Sequence, residues 1–376
     1  MKIAILGTRG IPNNYGGFEQ FAEYISVGLV ELGHDVTVYN PHFHGYQEDT
    51  FKGVKIEKVK SPEQSIGAVG NFIYDYRSLK HALTKDFDLI YEAGYGTASP
   101  SYFLLKNSKI PVLTNMDGLE WKRSKWNFIT RRLMRYFETL AIKKSHYLIS
   151  DNLGIQQYYK EFHNTDTIYL PYGADAVYDF EEKLLTEYDL KANEYFLLVA
   201  RLEPENSIAM ILDGYLESGH SSPFIVIGNH QNKYGNYLKE KYKNKNIRFL
   251  GGVYDKQKLD SLRCYCKAYL HGHTVGGTNP SLLEAMASNA FIFAHGNNFN
   301  RGVLGANALY FTNSRELAVC ISEVDMLAAK NKDGFLSGNN SKINNYYNWK
   351  RVIKLHEEVF ADVIAGNRKT FSRRKS

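Results

Sequence analysis

Short apolar runs alternate with amphipathic stretches along this chain, and this alternation constrains the fold more than any other feature. In the first half, the apolar runs predict buried parallel strands at 2–6, 35–39, 88–91, 111–114 and 147–150. Residues 18–32, between the first two runs, have helical spacing, and the stretch stops at Gly33. A strand, a crossover helix and a second strand in that order predict a doubly wound sheet.

The pattern starts again after the Pro-Tyr-Gly sequence at 171–173. Further strand-like runs follow at 195–200, 224–227, 247–249, 268–270 and 290–293, without any repeated sequence. We therefore predict an α/β protein with two Rossmann-like domains that face each other across a cleft. The predicted parts are 1–175, 176–344, and a closing segment 345–376 made of a helix that packs back across the junction and a basic tail. Ligands of such sheets bind beyond the carboxyl ends of the strands, so the loops there are the first places to search.

Composition excludes several classes of protein. With 44% hydrophobic and 23% charged residues among 376, the chain is globular and suits two domains of about 150–200 residues each. The net charge is +6, but five positive charges lie at 368–375, so the body is nearly neutral and does not resemble a nucleic-acid binder. Three cysteines without a CxxC pair favour a reduced compartment. No run of about 18 apolar residues occurs, which predicts a cytoplasmic protein with at most peripheral contact at the inner face of the membrane.

The loop after the first strand is rich in glycine. It runs from Gly7 to Glu19 and carries Arg9 and the pair Gly16-Gly17 just before the predicted helix. Backbone amides and a helix N-terminus can face an anion such as a diphosphate, and Arg9 could reach a sugar or a phosphate. The spacing is not GxGxxG, which disfavours a hydride-transfer enzyme. The alternatives are that the glycines serve only the turn and that Arg9 forms a surface ion pair.

An arginine follows the first strand of the second half. Arg201 stands where the strand at 195–200 ends, and a guanidinium there suits bidentate contact with phosphate oxygens. The alternative is a structural ion pair with Glu203 or Glu205.

The most informative segment is Gly276 to Met286. Gly277 and Thr278 form a tight loop, Asn279 is predicted to cap a helix, and Pro280 suits its first position. The amides of the helix start, through Ser281, Leu282 and Leu283, would bind phosphate. Glu284, about one turn further in, could accept hydrogen bonds from the hydroxyl groups of a ribose. The alternative is a surface glutamate on an ordinary helix.

A fourth loop follows the run at 111–114. Asp117 and Glu120 are carboxylates at a strand end, able to bind acceptor hydroxyls or to act as a base, and Trp121 lies beside them. Between 122 and 144, eight lysines and arginines are interleaved with Trp126 and Phe128, and Glu138 is the only acid. This pattern suits lipid headgroups or a pyrophosphate-lipid acceptor, although a plain solvated helical face is the alternative.

Two patterns that could hold a metal ion are weak. Asp86 and Asp88 match a DxD motif but lead into a strand, and His271 and His273 have no third ligand at useful spacing. We therefore predict neither a metal nor another cofactor.

Three segments carry a family resemblance: the opening Gly-Thr-Arg-Gly-Ile-Pro…Tyr-Gly-Gly-Phe-Glu at 7–19, Asp-Gly-Leu-Glu-Trp at 117–121 and Ala-Arg-Leu-Glu-Pro-Glu-Asn at 200–206. With them the chain resembles, over nearly its whole length, the family-4 retaining glycosyltransferases of the GT-B fold. It looks closest to the bacterial rhamnosyltransferase-type subgroup. The resemblance implies transfer of a sugar, with rhamnose from dTDP-rhamnose as the first choice, onto a lipid-diphosphate-linked or saccharide acceptor in cell-surface polysaccharide synthesis. It also implies that no metal is required.

The residues and the resemblance together assign roles. Asp117, Arg201 and Glu284 are the predicted catalytic residues. The nucleotide-sugar donor is expected to contact Arg9, Gly16, Gly17, Arg201, Gly277, Thr278, Asn279, Ser281, Leu282, Leu283 and Glu284. The acceptor is expected to contact Asp117, Glu120 and Trp121.

The chain departs from the family pattern at three places. Gly276 stands where the family has a glutamate that contacts donor sugar hydroxyls, and Asn206 stands where it has a lysine. The family's histidine near a strand end of the first domain is replaced around Met116. These departures leave open a weakly active or non-catalytic nucleotide-sugar-binding subunit of a polysaccharide assembly complex. An epimerase on the same fold would instead convert the donor without an acceptor.

Overall fold

The computed structural model describes residues 1–14, 16–116, 118–123, 126–243 and 245–367. The chain divides into two compact units. Unit 1 consists of Met1–Tyr172 together with the segment that begins at Trp349, and unit 2 is Gly173–Asn348. Each unit is an α/β structure built on its own sheet.

Within the described residues, eight strands form the sheet of unit 1, in the order β3-β4-β2-β1-β5-β6-β7-β8. They are β1 Lys2–Leu6, β2 Asp35–Pro41, β3 Thr50–Phe51, β4 Val54–Val59, β5 Leu89–Glu92, β6 Val112–Asn115, β7 Tyr147–Ser150 and β8 Ile168–Tyr169. All pairs are parallel except β3 with β4. The central strand β1 is buried on both faces, which explains why it reads as one continuous apolar run.

The helices of unit 1 that precede unit 2 in the chain are α1 Gly17–Glu31, α2 Glu63–Ile66, α3 Gly70–Ala82, α4 Tyr95–Ala98, α5 Phe128–Lys144 and α6 Leu153–His163. Short 3-10 helices lie at Gly67–Val69, Ser99–Asn107 and Glu120–Lys122. The predicted helix at 18–32 is confirmed within one residue at each end. It stops where expected because Gly33 adopts a φ of +88°, which a residue with a side chain rarely does.

Six strands of the described residues form the sheet of unit 2, in the order β11-β10-β9-β12-β13-β14, and every pair is parallel. They are β9 Phe196–Val199, β10 Phe224–Ile227, β11 Ile247–Gly251, β12 Ala268–His271, β13 Ile292–His295 and β14 Leu309–Phe311. The helices are α7 Ile208–Ser218, α8 Lys233–Lys241, α9 Lys256–Cys264, α10 Pro280–Ala287, α11 Asn298–Leu304, α12 Ser314–Ser322 and α13 Val324–Lys342, with 3-10 turns at Glu182–Tyr188 and Pro204–Asn206.

The last helix, α14 Trp349–Ile364, packs on α1 of unit 1 after a π-helical turn at Ile343–Tyr347. Trp349 stacks on Tyr24 with ring centroids 4.4 Å apart, and the His356 ring lies 5.3 Å from that of Phe21. Gly28 leaves room for Ile353 on α14, because a Cβ at Gly28 would lie 2.3 Å from its terminal methyl. The chain therefore returns to unit 1 after completing unit 2.

The sequence did not predict four of the strands: β3, β4, β8 and β14. β3 and β8 have two residues each and β14 has three, and β4 alternates apolar and charged residues. Elements this short, or this polar, give little periodic signal. None of the helices that the structure describes is both long enough and apolar enough to cross a membrane.

Candidate functional site

The start of α10 is hydrogen-bonded to the end of β9 in unit 2. Ser281 Oγ lies 2.7 Å from the Tyr269 hydroxyl of β12 and donates to the carbonyl of Val199 at 3.1 Å. Val199 precedes Arg201 by two residues. The structure therefore brings two predicted parts of the site, Arg201 and the helix start, to one edge of one sheet.

The cap of α10 is confirmed. Asn279 Oδ1 accepts from the amide of Ser281 at 2.9 Å, and the Asn279 carbonyl accepts from Leu282 at 3.0 Å. Pro280 occupies the first helical position, as predicted. Gly277 and Thr278 lead into this cap, so the positive end of the helix dipole lies at the carboxyl edge of the sheet.

Glu284 is held by an arginine that sequence reasoning missed. Its Oε2 lies 2.5 Å from Nη2 of Arg263, which is only 1% exposed. The same guanidinium contacts Asp260 Oδ1 at 3.2 Å through Nη1. Because the Glu284 side chain keeps 30% of its surface exposed, it is a partly open carboxylate with one oxygen fixed. A hint lay in the sequence of α9, where Arg263 follows Leu259 and Leu262 at apolar spacing.

Arg201 is exposed at the end of β9. In the part of the chain that the structure describes, its side chain makes no ion pair, so the alternative pairing with Glu203 or Glu205 is not observed. Its carbonyl accepts from Asn206 Nδ2 at 2.7 Å, which fixes the backbone of the turn. The guanidinium therefore stands at the strand edge with its donors available to an anion.

Two departures from the pattern of the family that the sequence resembles meet at His273. Asn206 Oδ1 accepts from His273 Nδ1 at 2.9 Å, because the amide nitrogen of Asn206 already donates to Arg201. Nδ1 therefore carries a proton, since an amide oxygen can only accept. Gly276 has a φ of +126°, and a Cβ there would lie 2.9 Å from His273 Nε2. The His273 ring therefore occupies the space beside the position where the family has its glutamate.

The neighbouring His271 is fully buried and stays neutral. Burial, followed by the nearby His273 and His295, lowers the pKa of His271 to about 3. The described residues contain no group of three or more His, Cys, Asp or Glu that could hold a metal ion. Asp88 of the DxD pattern accepts from the backbone amide of Lys2 at 2.7 Å, which is a structural role at the amino end of β1.

A cavity of about 180 Å³ follows β10 and β11. Its lining residues are Asn229, His230, Gln231, Gly251, Gly252 and Tyr254. It lies beside the turn that carries Arg201, because the backbone of Gly228 packs so closely on the Ala200 carbonyl that a Cβ there would lie 1.9 Å from the oxygen. The residues predicted from the sequence do not include these, although the glycine pair at the end of a strand is a usable signal.

In unit 1, backbone amides of the glycine-rich loop donate hydrogen bonds to side chains of the same unit. The amides of Arg9 and Asn13 donate to Glu19 Oε1 at 2.8 Å and to Glu23 Oε2 at 2.7 Å. The Arg9 guanidinium pairs with Glu63 at 2.6 Å. The surface ion pair that was the alternative for Arg9 is therefore what the structure contains, and carboxylates of the chain take up amides that were predicted to face an anion.

The glycine pair of this loop begins α1. Gly16 is the capping residue of α1. The carbonyl of Gly17 accepts from the Tyr172 hydroxyl at 2.8 Å. Both residues thus position the first turn of the helix.

A buried carboxyl pair that the sequence did not reveal lies under this loop. Glu92, at the end of β5, is 1% exposed, and neither of its oxygens has a hydrogen-bond partner among the described residues. A Cβ on Gly7 would lie 2.1 Å from Glu92 Oε1. Burial raises the pKa of Asp75 to about 7, and burial followed by the charge of Asp75 holds the pKa of Glu92 well above its ordinary value.

The predicted acceptor residues are only partly placed. Asp117 lies outside the described residues. Glu120 binds Arg123 through both oxygens, at 2.8–2.9 Å. Trp121 lies under the Arg135 guanidinium at 4.0 Å from its ring centroid. Glu120 is therefore a member of a local ion pair, and Trp121 is part of a cation–π contact.

One part of the chain matches a known family, and nearly the whole chain superposes on solved structures. Residues 1–175 match a family described as a domain of unknown function, DUF1972. No curated protein sequence matches the chain. Among solved structures, sucrose-phosphate synthase from Thermosynechococcus elongatus superposes with a TM-score of 0.80 at 13% identity, covering 97% of this chain and 99% of that one.

Two further solved structures also superpose on nearly the whole chain. A glycosyltransferase from Rickettsia africae has a TM-score of 0.72 at 16% identity, covering 98% of this chain and 100% of that one. HepE from Anabaena, in complex with UDP and glucose, has a TM-score of 0.74 at 18% identity, covering 96% of this chain and 100% of that one. The chain therefore has the GT-B fold of two Rossmann-like domains, and the predicted fold class is confirmed.

Proposed function

We propose that the chain is a retaining glycosyltransferase that binds its nucleotide-sugar donor on unit 2. The observation that carries the proposal is the fixed start of α10 beside Arg201, with Glu284 oriented by Arg263 one turn further along. A helix N-terminus and an exposed guanidinium are two of the commonest ways to bind a diphosphate. The similarity in fold to HepE, whose structure contains UDP and glucose, supports a nucleotide-sugar donor.

The donor is placed by the chemistry of each group. The diphosphate takes the helix start at Gly277–Leu283 and the Arg201 guanidinium. The ribose hydroxyls donate to the outer oxygen of Glu284, while Arg263 keeps the inner oxygen in place. The base extends toward the cavity after β10 and β11, where the exposed Tyr254 offers a ring.

Transfer then needs no protein nucleophile. The acceptor oxygen attacks the anomeric carbon on the face from which the diphosphate leaves, the carbon–oxygen bond to phosphate breaks, and the acceptor proton passes to the leaving phosphate oxygen. The main contribution of the chain is to stabilise the negative charge on the diphosphate through Arg201 and the amides of the helix start. Such a step requires no metal ion, and transfer should survive a chelator.

The donor sugar is read by His273 in place of the missing glutamate. An imidazole ring can make fewer hydrogen bonds to sugar hydroxyl groups than a carboxylate can. The first choice of donor remains dTDP-rhamnose, from the resemblance of the three segments. The acceptor is a lipid-linked or saccharide molecule of cell-surface polysaccharide synthesis, contacted by Asp117, Glu120 and Trp121. A lipid-linked acceptor implies work at the inner face of the membrane.

The second candidate is a nucleotide-sugar-binding subunit without catalysis. It is favoured by Asn206, which has no positive charge for the diphosphate and is used instead to hold His273. This candidate predicts donor binding without transfer.

The experiment is a panel of dTDP-, UDP- and GDP-sugars, tested for thermal stabilisation and for transfer to a membrane extract. We expect Glu284→Ala and Arg201→Ala each to reduce transfer by about 10- to 100-fold, because each removes charged hydrogen bonds to the donor. Arg315→Ala is the matched control, since Arg315 is an exposed arginine on α12 of the same unit. If transfer survives both site variants, the placement of the donor on Arg201 and Glu284 is wrong. Stabilisation without transfer supports the binding subunit, and a response to UDP-sugars but not to dTDP-rhamnose excludes the rhamnosyl donor.

A further inference from the structure

Helix α5 of unit 1 has two apolar faces, and only one of them is buried. Met134, Phe137 and Ala141 pack into the unit. On another side of the helix, Ile129 is 76% exposed, Leu133 45% and Tyr136 57%, at spacings of four and three residues. Phe128, at the start of the helix, is 72% exposed. An ordinary solvated helical face carries polar residues at such positions.

The same exposed surface is strongly basic. Arg132 lies in the same row of the helix as Phe128 and Tyr136, and Arg131 and Arg135 lie on the flank beside Phe128. Lys143 and Lys144 follow at the end of the helix, and all five basic residues are exposed. None of these five forms an ion pair with another residue that the structure describes. The helix has one acidic residue, Glu138, which is 2% exposed and accepts from the Tyr159 hydroxyl at 2.9 Å. The exposed side of α5 therefore carries positive charge without a carboxylate of its own.

The surface continues onto the 3-10 helix Ser99–Asn107, which packs against α5. Phe103 of this helix is 63% exposed, and Lys106 is exposed as well. Exposed apolar side chains on neighbouring elements of a folded unit mark a surface that another body covers.

We propose that the α5 surface, defined as Phe128, Ile129, Arg131, Arg132, Leu133, Arg135 and Tyr136, binds an anionic lipid bilayer. A helix with aromatic and aliphatic side chains between arginines lies in the headgroup region with its apolar residues at the acyl boundary. The arginines meet the negative charge of the lipid headgroups, and this complementarity selects a membrane over an uncharged partner. Binding here uses neither donor nor acceptor, so it stands apart from the proposed glycosyl transfer.

The test is sedimentation of the full chain with two kinds of vesicle, one of phosphatidylcholine alone and one of phosphatidylcholine mixed with phosphatidylglycerol. We expect the chain to bind mainly the mixed vesicles, with an affinity that falls as salt is added. The double variant Arg131→Glu/Arg132→Glu should bind them at least about tenfold more weakly. Ile129→Ser/Leu133→Ser should weaken binding to a similar extent by removing the residues that enter the bilayer.

The matched control is Val319→Ser/Met326→Ser, which changes two similarly exposed apolar residues of unit 2 and should bind as the unchanged chain does. All the substituted residues are exposed, so thermal unfolding and nucleotide-sugar stabilisation should stay unchanged and separate this test from that of the proposed function. Full binding by both α5 variants would assign the affinity to the basic tail at 368–376 and overturn the proposal. No binding by the unchanged chain, or self-association that Ile129→Ser/Leu133→Ser abolishes, would overturn it as well.

Discussion

The charged side chains at the strand ends of the two units differ in how they are paired. In unit 2, Arg201 is exposed, and Glu284 keeps one oxygen open while Arg263 holds the other. In unit 1, Arg9 is paired with Glu63 and Glu120 with Arg123. A guanidinium that already has a carboxylate partner offers fewer donors to an anionic ligand than a guanidinium that has none. The same topology therefore supports a charged ligand on unit 2 and favours a ligand with hydroxyl groups on unit 1.

The two units also differ in how they accommodate a buried carboxyl group. Asp260 of unit 2 is buried against Arg263 and accepts from Ser288 Oγ at 3.0 Å. Glu92 of unit 1 is equally buried, but it has no hydrogen-bond partner among the described residues. Unit 2 compensates the loss of water with an opposite charge, whereas unit 1 does so by keeping a proton on the carboxyl group.

The largest effect is expected from Arg263→Met. Removing the guanidinium leaves the buried Asp260 with the exposed Lys256 as its remaining charge partner, which should lower the free energy of unfolding by about 3–5 kcal/mol in urea denaturation. It also releases Glu284, so binding of UDP should weaken more than binding of inorganic pyrophosphate, which has no ribose. Lys256→Met is the control, because Lys256 pairs with the same Asp260 from the surface and should cost at most about 1 kcal/mol. Equal losses of UDP and pyrophosphate would show that Arg263 does not position Glu284.

Asp75→Asn should change how the stability of unit 1 depends on pH. The pKa of Asp75 is raised in the folded state to about 7, mainly by burial. Between the ordinary aspartate range and that value, the folded state holds a proton that the unfolded state has lost, so stability falls as pH rises. The asparagine variant should lose this slope and be more stable above neutral pH by about 2–4 kcal/mol.

The check is thermal or urea unfolding of both proteins across this pH range. Asp333→Asn is the control, because Asp333 is an exposed aspartate on α13 of unit 2. Parallel profiles for Asp75→Asn and the unchanged chain would contradict a proton held on Asp75.

A smaller effect is expected from Gly276→Ala. The φ of +126° is strained for alanine, and its Cβ would press on His273 Nε2, so unfolding should become easier by about 1–3 kcal/mol. Displacement of the ring should reduce sugar transfer more than UDP binding. Gly334→Ala is the control, since Gly334 on α13 has open space around its Cβ position and an alanine there should stabilise slightly. An unchanged transfer rate in Gly276→Ala would exclude His273 as the sugar-reading residue.

Much of the fold was predictable because its signals are local. The strands β1, β7 and β10 lie where their apolar runs predict. The helix α1 ends just before Gly33, because that single residue adopts a positive φ. The cap at Asn279 and Pro280 is local as well. The partners of Glu284, Arg9 and Glu120 were not predictable with the same means. Each of these pairs depends on where a second element packs or on which rotamer a neighbour adopts. The spacing of residues along the sequence predicts neither the packing nor the rotamer.

By itself, the sequence determined that the protein is a two-unit α/β structure with its charged loops after the strands, because periodicity and turn residues act over a few positions. Only the tertiary structure decided which of those charges stay open to a ligand. Arg201 remained exposed and Arg9 did not, although both follow a strand and both were predicted to bind phosphate. The reason is physical: the cost of removing water from a charge depends on every group around it, and those groups come from distant parts of the chain.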